Sequence, residues 1–300
     1  MSLYKKYKKE IRTLHLISQI IGKVKLEYAV QEPQWAHTML DITTRGFTTG
    51  LLKYEDSYFD IEVDLLKSVI MIRKDDKKMD IRLEDGKSVS QYYNELISSL
   101  HDLGLPLSIQ TNPQEMEWKV AFEDDIFNDR YSQDASREIL KWFQFAWDAQ
   151  LLFIGPIRQR KVYPGLFWGT FDVSSILIYN KSEAFPDDSK IIERAAFDEH
   201  MIEFGFWLGD DNFEYPTFFI LPYPFVDSVE LEVDDTFPPG SYFSSKMAEY
   251  LYEIKDNIND VKTSQVIEFM SASNKKAMEY LQWENTNHFF KELKMEKNKK

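Results

Sequence analysis

The stretch Tyr58-Phe-Asp-Ile-Glu-Val-Asp-Leu65 alternates cleanly, with Ile61, Val63 and Leu65 on one side and Asp60, Glu62 and Asp64 on the other. Successive side chains of an extended chain point to opposite faces, so a period of two predicts a half-buried strand with one wet face. Residues 46–54 before it, and 68–74 and 79–84 after it, carry further strand patterns, the last two joined by a charged turn from Lys74 to Lys78. The period then changes. Val89, Tyr92, Tyr93, Leu96, Ile97, Leu100 and Leu103 follow helical spacing. Ser88 and Gln91 form a capping box, and Gly104 and Pro106 mark the end. Upstream, Leu14, Ile17, Ile21, Val24 and Tyr28 form the apolar stripe of an amphipathic helix.

The second half repeats this order of strands followed by a helix. Strand patterns lie near 166–179, 198–208, 215–223 and 247–255, and Val266, Ile267, Met270, Ala277, Tyr280 and Leu281 mark a closing helix. Between the halves, 133–154 is apolar nearly all round, as expected of a helix buried between layers. Strands in runs, without regular alternation with helices, predict an α+β fold. The expectation is two antiparallel meander-plus-helix halves packed around a buried central helix. Residues 1–110 form the first half, 111–132 an acidic linker, and 133–300 the central helix with the second half.

Composition narrows the chemistry. The 300 residues hold 36 Lys and Arg against 50 Asp and Glu, a formal net charge of −14, and no cysteine. Thiolate nucleophiles, cysteine-ligated zinc and iron–sulfur clusters are excluded, and the absence of cysteine fits a cytoplasmic setting. The acidic balance argues against nucleic acid as a partner. Lys5, Lys6, Lys8 and Lys9 open the chain, and Lys291, Lys294, Lys297, Lys299 and Lys300 close it; such terminal runs read as solvated tails. The segment 139–157 carries Lys141 and Asp148 and ends at Gly155-Pro156, short of the ~20 apolar residues a membrane span needs. Dinucleotide, P-loop, zinc-protease, nucleophile-elbow and EF-hand motifs are absent.

What remains is polar residues beside tryptophans. Read as a strand, 35–43 puts Trp35, His37, Met39 and Asp41 on one face, with Arg45 at the following turn. Within 166–179, Trp168, Thr170, Asp172 and Ser174 share a face. Such pairings fit a ligand pocket, where apolar walls carry a few placed polar groups. They equally fit a half-exposed sheet face covered by a helix. In the pocket reading Trp35 and Trp168 are walls, Arg45 meets an anionic group, and His37 moves protons with Asp172 or Glu199. His200, on the apolar side of its strand, is a further acid–base candidate. Two histidines and several carboxylates could assemble a metal site, but their spacing gives only a weak signal, and no metal ligand is singled out. The expected function is binding or turnover of a small molecule in an aromatic-lined pocket. The alternative is a non-catalytic interaction module using an exposed aromatic patch around Phe218 or Trp207.

Several of these residues also carry a resemblance. Trp35-x-His37, Arg45-Gly-Phe-Thr-Thr49, Phe167-Trp-Gly-Thr-Phe-Asp172 and Gly205-Phe-Trp-Leu-Gly209, in this order, resemble the signatures of a family of uncharacterised bacterial proteins of similar length. The resemblance spans most of the chain and implies that it behaves as one unit. The family is a domain of unknown function, so the resemblance implies no activity, cofactor or catalytic residue.

Overall fold

A computed structural model describes residues 2–226 and 231–293; the closing lysines Lys294, Lys297, Lys299 and Lys300 lie outside the described residues. The class is α+β, with two antiparallel six-stranded sheets. The first is built from β1 (Asp41–Ile42), β2 (Gly46–Thr48), β3 (Leu52–Tyr54), β4 (Ser57–Asp64), β5 (Val69–Lys74) and β6 (Lys77–Arg82). The alternating stretch is its centre: β4 pairs with β2, β3 and β5, and Phe59, Ile61 and Val63 are buried.

Two helices serve this sheet. α1 (Leu3–Tyr28) reaches back through the opening lysines, which are helical rather than a loose tail. Lys5 and Lys8 pair with Glu214 and Asp211. α2 (Val89–Asp102) begins at the expected box: Ser88 Oγ accepts from Gln91 N at 3.3 Å, and Gln91 Oε1 accepts from Ser88 N at 2.9 Å. Residues 111–132 hold no regular element beyond a 3-10 turn, Phe122–Asp124, yet they are packed. Phe122 and Asp125 are fully buried, and the Asp125 carboxylate accepts from Trp118 Nε1 at 2.9 Å.

The second sheet has the order β11-β12-β10-β9-β8-β7. Its strands are β7 (Arg160–Phe167), β8 (Asp172–Ser182), β9 (Glu199–Trp207), β10 (Thr217–Tyr223), β11 (Ser241–Ser244) and β12 (Glu249–Glu253). α3 (Gln133–Ile154) and α5 (Thr263–Tyr280) cover one face. Phe206 stacks on Trp142 of α3, Phe218 meets Phe145, Phe204 meets Phe153, and Tyr252 meets Phe269 of α5. Each such aromatic contributes about 2 kcal/mol or more by leaving water. α4 (Ile191–Ala196) lies in the β8–β9 connection. No helix among the described residues is long and apolar enough to cross a membrane.

Two expected strands are broken by turns. Residues 33–38 form a 3-10 turn that Pro33 opens, with Gln34 and Trp35 both at φ 55°. Proline fixes its own φ and removes a ladder donor, which favours a turn over a strand there. Residues 166–179 are a hairpin, not one strand: β7 ends at Phe167, the chain turns through Trp168 to Phe171 (φ 62°), and β8 starts at Asp172. The interaction reading also loses its surface at Phe218, which is buried on the face under α3.

Candidate functional site

The face of the second sheet turned away from α3 and α5 is not an open one: Asp172, Ser174, Gly205 and Phe219 on it are buried, and Glu203, Trp207 and Glu249 are half-buried. Cross-strand partners share a face, and the register pairs Ser174 with Gly205, Ile176 with Glu203, Gly205 with Phe219, and Glu203 with Leu221. By alternation, Asp172 joins this face from β8 and Trp207 from β9. Phe219 also pairs with Leu251, so Glu249, two residues earlier, brings β12 to the same side. Gly205 is required here. A methyl group on it would stand 1.9 Å from Cζ of Phe219, whose ring lies across the strand. Glycine in a strand weakens it locally but admits such a close approach.

Above this floor is a cavity of about 1290 Å³. Its walls come from chain segments far apart in sequence: α1 with Arg12 and His15, the 3-10 turn with Trp35, and the stretch carrying Glu115 and Trp118. The Trp168–Phe171 turn, α4 with Glu193, and the loop after Trp207 complete them. The Trp168–Phe171 turn is held from both sides. His15 Nε2 lies 3.1 Å from the Trp168 carbonyl and 2.9 Å from that of Gly169. Both partners are acceptors, so Nε2 carries the proton. Burial lowers the pKa of His15 to about 4, and its ring stacks on Phe171, so it is a neutral donor that fixes the turn. A side chain at Gly169 would meet the Glu115 carboxylate, which the glycine admits to the cavity.

Four carboxyl groups converge in this space. Asp172, 4% exposed, accepts hydrogen bonds from the hydroxyls of Thr170 and Ser174. Ser174 also stands beside Glu203, so one hydroxyl lies between two carboxyl groups. Burial raises the pKa values of both acids, and the charge of Asp172 raises that of Glu203 further. Burial and the charge of Asp172 push Glu249 up to about 7. Burial, then Asp172 and Glu193, do the same for Glu115. Among the described residues, none of the four forms an ion pair with a lysine or arginine. Like charges gathered without a counter-ion hold protons near neutral pH, so the group can both donate and accept. Among the described residues no cluster of histidine, aspartate and glutamate is arranged to hold a metal ion.

Of the residues proposed from sequence for the pocket, Trp35, Trp168 and Asp172 line this one cavity, and Trp207 of the interaction reading lines it too. The others lie elsewhere. Arg45 is on the first sheet, where its Nε bonds Asp64, a fully buried carboxylate. His37 is buried behind Trp35, with rings 5.0 Å apart, and its Nδ1 accepts from Glu32 N at 3.1 Å. Glu199 pairs with Arg160 and accepts from Gln34 Nε2. His200 Nδ1 accepts from Trp283 Nε1 at 3.3 Å, and its Nε2 lies 3.4 Å from Glu183.

Sequence reasoning missed Glu115, Glu203 and Glu249. For Glu203 a signal existed: its same-face neighbours are Met201, Gly205 and Trp207, not the polar residues of a wet strand face.

The chain belongs to the family of unknown function DUF5996, whose model matches residues 2–288. No curated protein and no solved structure matches it.

Proposed function

We propose that the protein binds a small molecule in the cavity over the second sheet, with Trp35 and Trp168 as walls and the carboxyl groups of Asp172 and Glu203 at the floor. One observation carries this reading: a sheet face lined with acids is the floor of a half-open cavity of about 1290 Å³, walled by segments far apart in sequence. Ligand sites combine such apolar walls with a few converging polar groups. The work assigned to His37 and Glu199 falls in this reading to Asp172 and Glu203. With Ser174 between them they hold a proton that a bound molecule can take or return. A cytoplasmic setting suits a chain without cysteine.

The test is native mass spectrometry of freshly purified protein, beside the double variant Asp172→Asn, Glu203→Gln. A non-covalent mass increment on the wild type, absent from the folded variant, supports the reading. An increment that persists in the variant, or the lack of any increment or thermal shift across a metabolite panel, overturns it.

A further inference from the structure

We propose that the ligand of this cavity is a small organic cation, a protonated amine or guanidinium on an apolar body. The inference rests on the cavity being a binding site, and adds the sign of the ligand's charge.

The first argument is charge. The floor offers Asp172, Glu203 and Glu249, and Glu115 faces them from the wall. The cavity's own cations do not answer them. Arg12 lies over the ring of Trp118, 5.8 Å from its centroid, and Lys190 sits 3.6 Å from Glu193 on its own segment. His15 is held neutral by burial. An anionic ligand would add like charge to the acids that stay ionised, and a neutral one would leave the others holding their protons, whereas a cation takes the place of those protons.

The second argument is independent of the acids. Trp35 and Trp207 line the cavity, and an aromatic ring attracts a cation; Trp168 already has the Lys23 ammonium 6.0 Å from its ring centroid. The third is an orphaned acceptor: Glu249 Oε2 is shut off from solvent and has no hydrogen-bond partner, while Trp207 Nε1, an orphaned donor on the same face, calls for an acceptor on the body of the ligand. A buried acceptor left unpaired is costly, and an ammonium group brings three donors and no acceptor. Metal ions satisfy the charge, but the arrangement provides no ligand cluster for one among the described residues.

Binding a cation favours the ionised carboxylates, so protons must leave. The acids that face one another are Asp172 and Glu203 with Glu249 from the sheet and Glu115 from the wall, with the charge of Glu193 on α4 beside Glu115. The raised pKa values of Asp172, Glu203, Glu249 and Glu115 mean that affinity for an amine grows with pH until the amine itself loses its proton.

The experiment is calorimetric titration of the full chain with tryptamine, agmatine and spermidine. Tryptophol and indole-3-acetate are the neutral and anionic counterparts of tryptamine. At least one amine is expected to bind, at least tenfold tighter than any neutral or anionic probe. Its affinity is expected to rise several-fold from pH 6 to 8, with net proton release measured in buffers of different ionisation enthalpy. Glu203→Gln, shown folded by circular dichroism, is expected to weaken it at least tenfold, and Glu203→Asp to restore part of the loss. A neutral or anionic probe binding as tightly, or binding of the amine with proton uptake, overturns the inference. So does the lack of amine binding below about millimolar. A neutral or anionic mass increment on the native protein then leaves the pocket standing without the cation, whereas a bare protein removes both.

Discussion

The indole of Trp168 lies against the backbone of Gly22: a methyl group there would stand 2.2 Å from Cγ and Cδ1 of the ring. Gly22 is in the interior of α1, where glycine costs about 1 kcal/mol relative to alanine. The cost is offset by the close seat it gives a cavity wall, fixed further by Trp168 Nε1 donating to Thr38 O at 2.9 Å. Gly22→Ala is therefore expected to lower stability by about 1–3 kcal/mol in urea, against its helix propensity. A stabilised variant would show that the indole does not depend on this seat.

Raised carboxyl pKa values set the sign of a pH effect. An acid whose folded pKa exceeds its unfolded one binds more protons when folded, so stability falls as pH rises through the interval between them. For Glu115 and Glu249 that interval runs from about 4.5 to about 7, and the shift of Glu203 acts in the same direction. Glu203→Gln removes one ionisable member. Its melting temperature should match that of the wild type near pH 5 and exceed it at pH 8, by a margin corresponding to about 1–3 kcal/mol. An equal difference at both pH values would mean that Glu203 does not bind its proton more tightly in the folded chain.

Trp35 Nε1 donates to the carbonyl of Ile192 at 2.7 Å, tying the 3-10 turn to α4 at the cavity wall. Trp35→Phe keeps much of the ring and removes the donor. Trypsin should then cut after Lys190 and Arg194 several-fold faster, with global stability changed by about 1 kcal/mol or less. Unchanged cleavage would mean that this bond does not hold the segment.

Arg45 and Asp64 serve the fold of the first sheet. Asp64 accepts from Leu66 N at 3.0 Å and Lys67 N at 2.8 Å as well as from Arg45, closing the turn between β4 and β5. Asp64→Ala is expected to cost about 1–2 kcal/mol, because three part-buried donors lose their acceptor. Arg45→Ala, which removes the partner of a buried carboxylate on the first sheet, should lower stability and leave binding in the cavity unchanged. Loss of ligand binding in Arg45→Ala would put the site elsewhere.

Regular elements were legible because their period is written in single residues. Ile61 and Val63 alternate with acids, and Ser88 with Gln91 announces α2, so the class followed. Of the site, Trp35, Trp168 and Asp172 could be picked out because each is a conspicuous residue beside others. They were placed together for a different reason from the real one: two strand faces were expected, and two turns were found. Glu203 and Glu249 stayed hidden because alternation tells which side of a strand is apolar, not whether the other side meets water. The walls over that side include the irregular segment carrying Glu115 and Trp118 and the short helix α4 carrying Glu193, both with too little regular structure to show a period from which their position can be read.

The order of the four acids along the chain bears on how the protein comes off the ribosome. Glu115, Asp172 and Glu203 are made first, and Glu249 on β12 is made last. The first sheet, α3 and the pairing of β7 to β10 can all form before β12 exists. The nascent chain thus gathers most of its hydrophobic core while its acids are still incompletely assembled. Full electrostatic repulsion arises only when the last part of the floor docks.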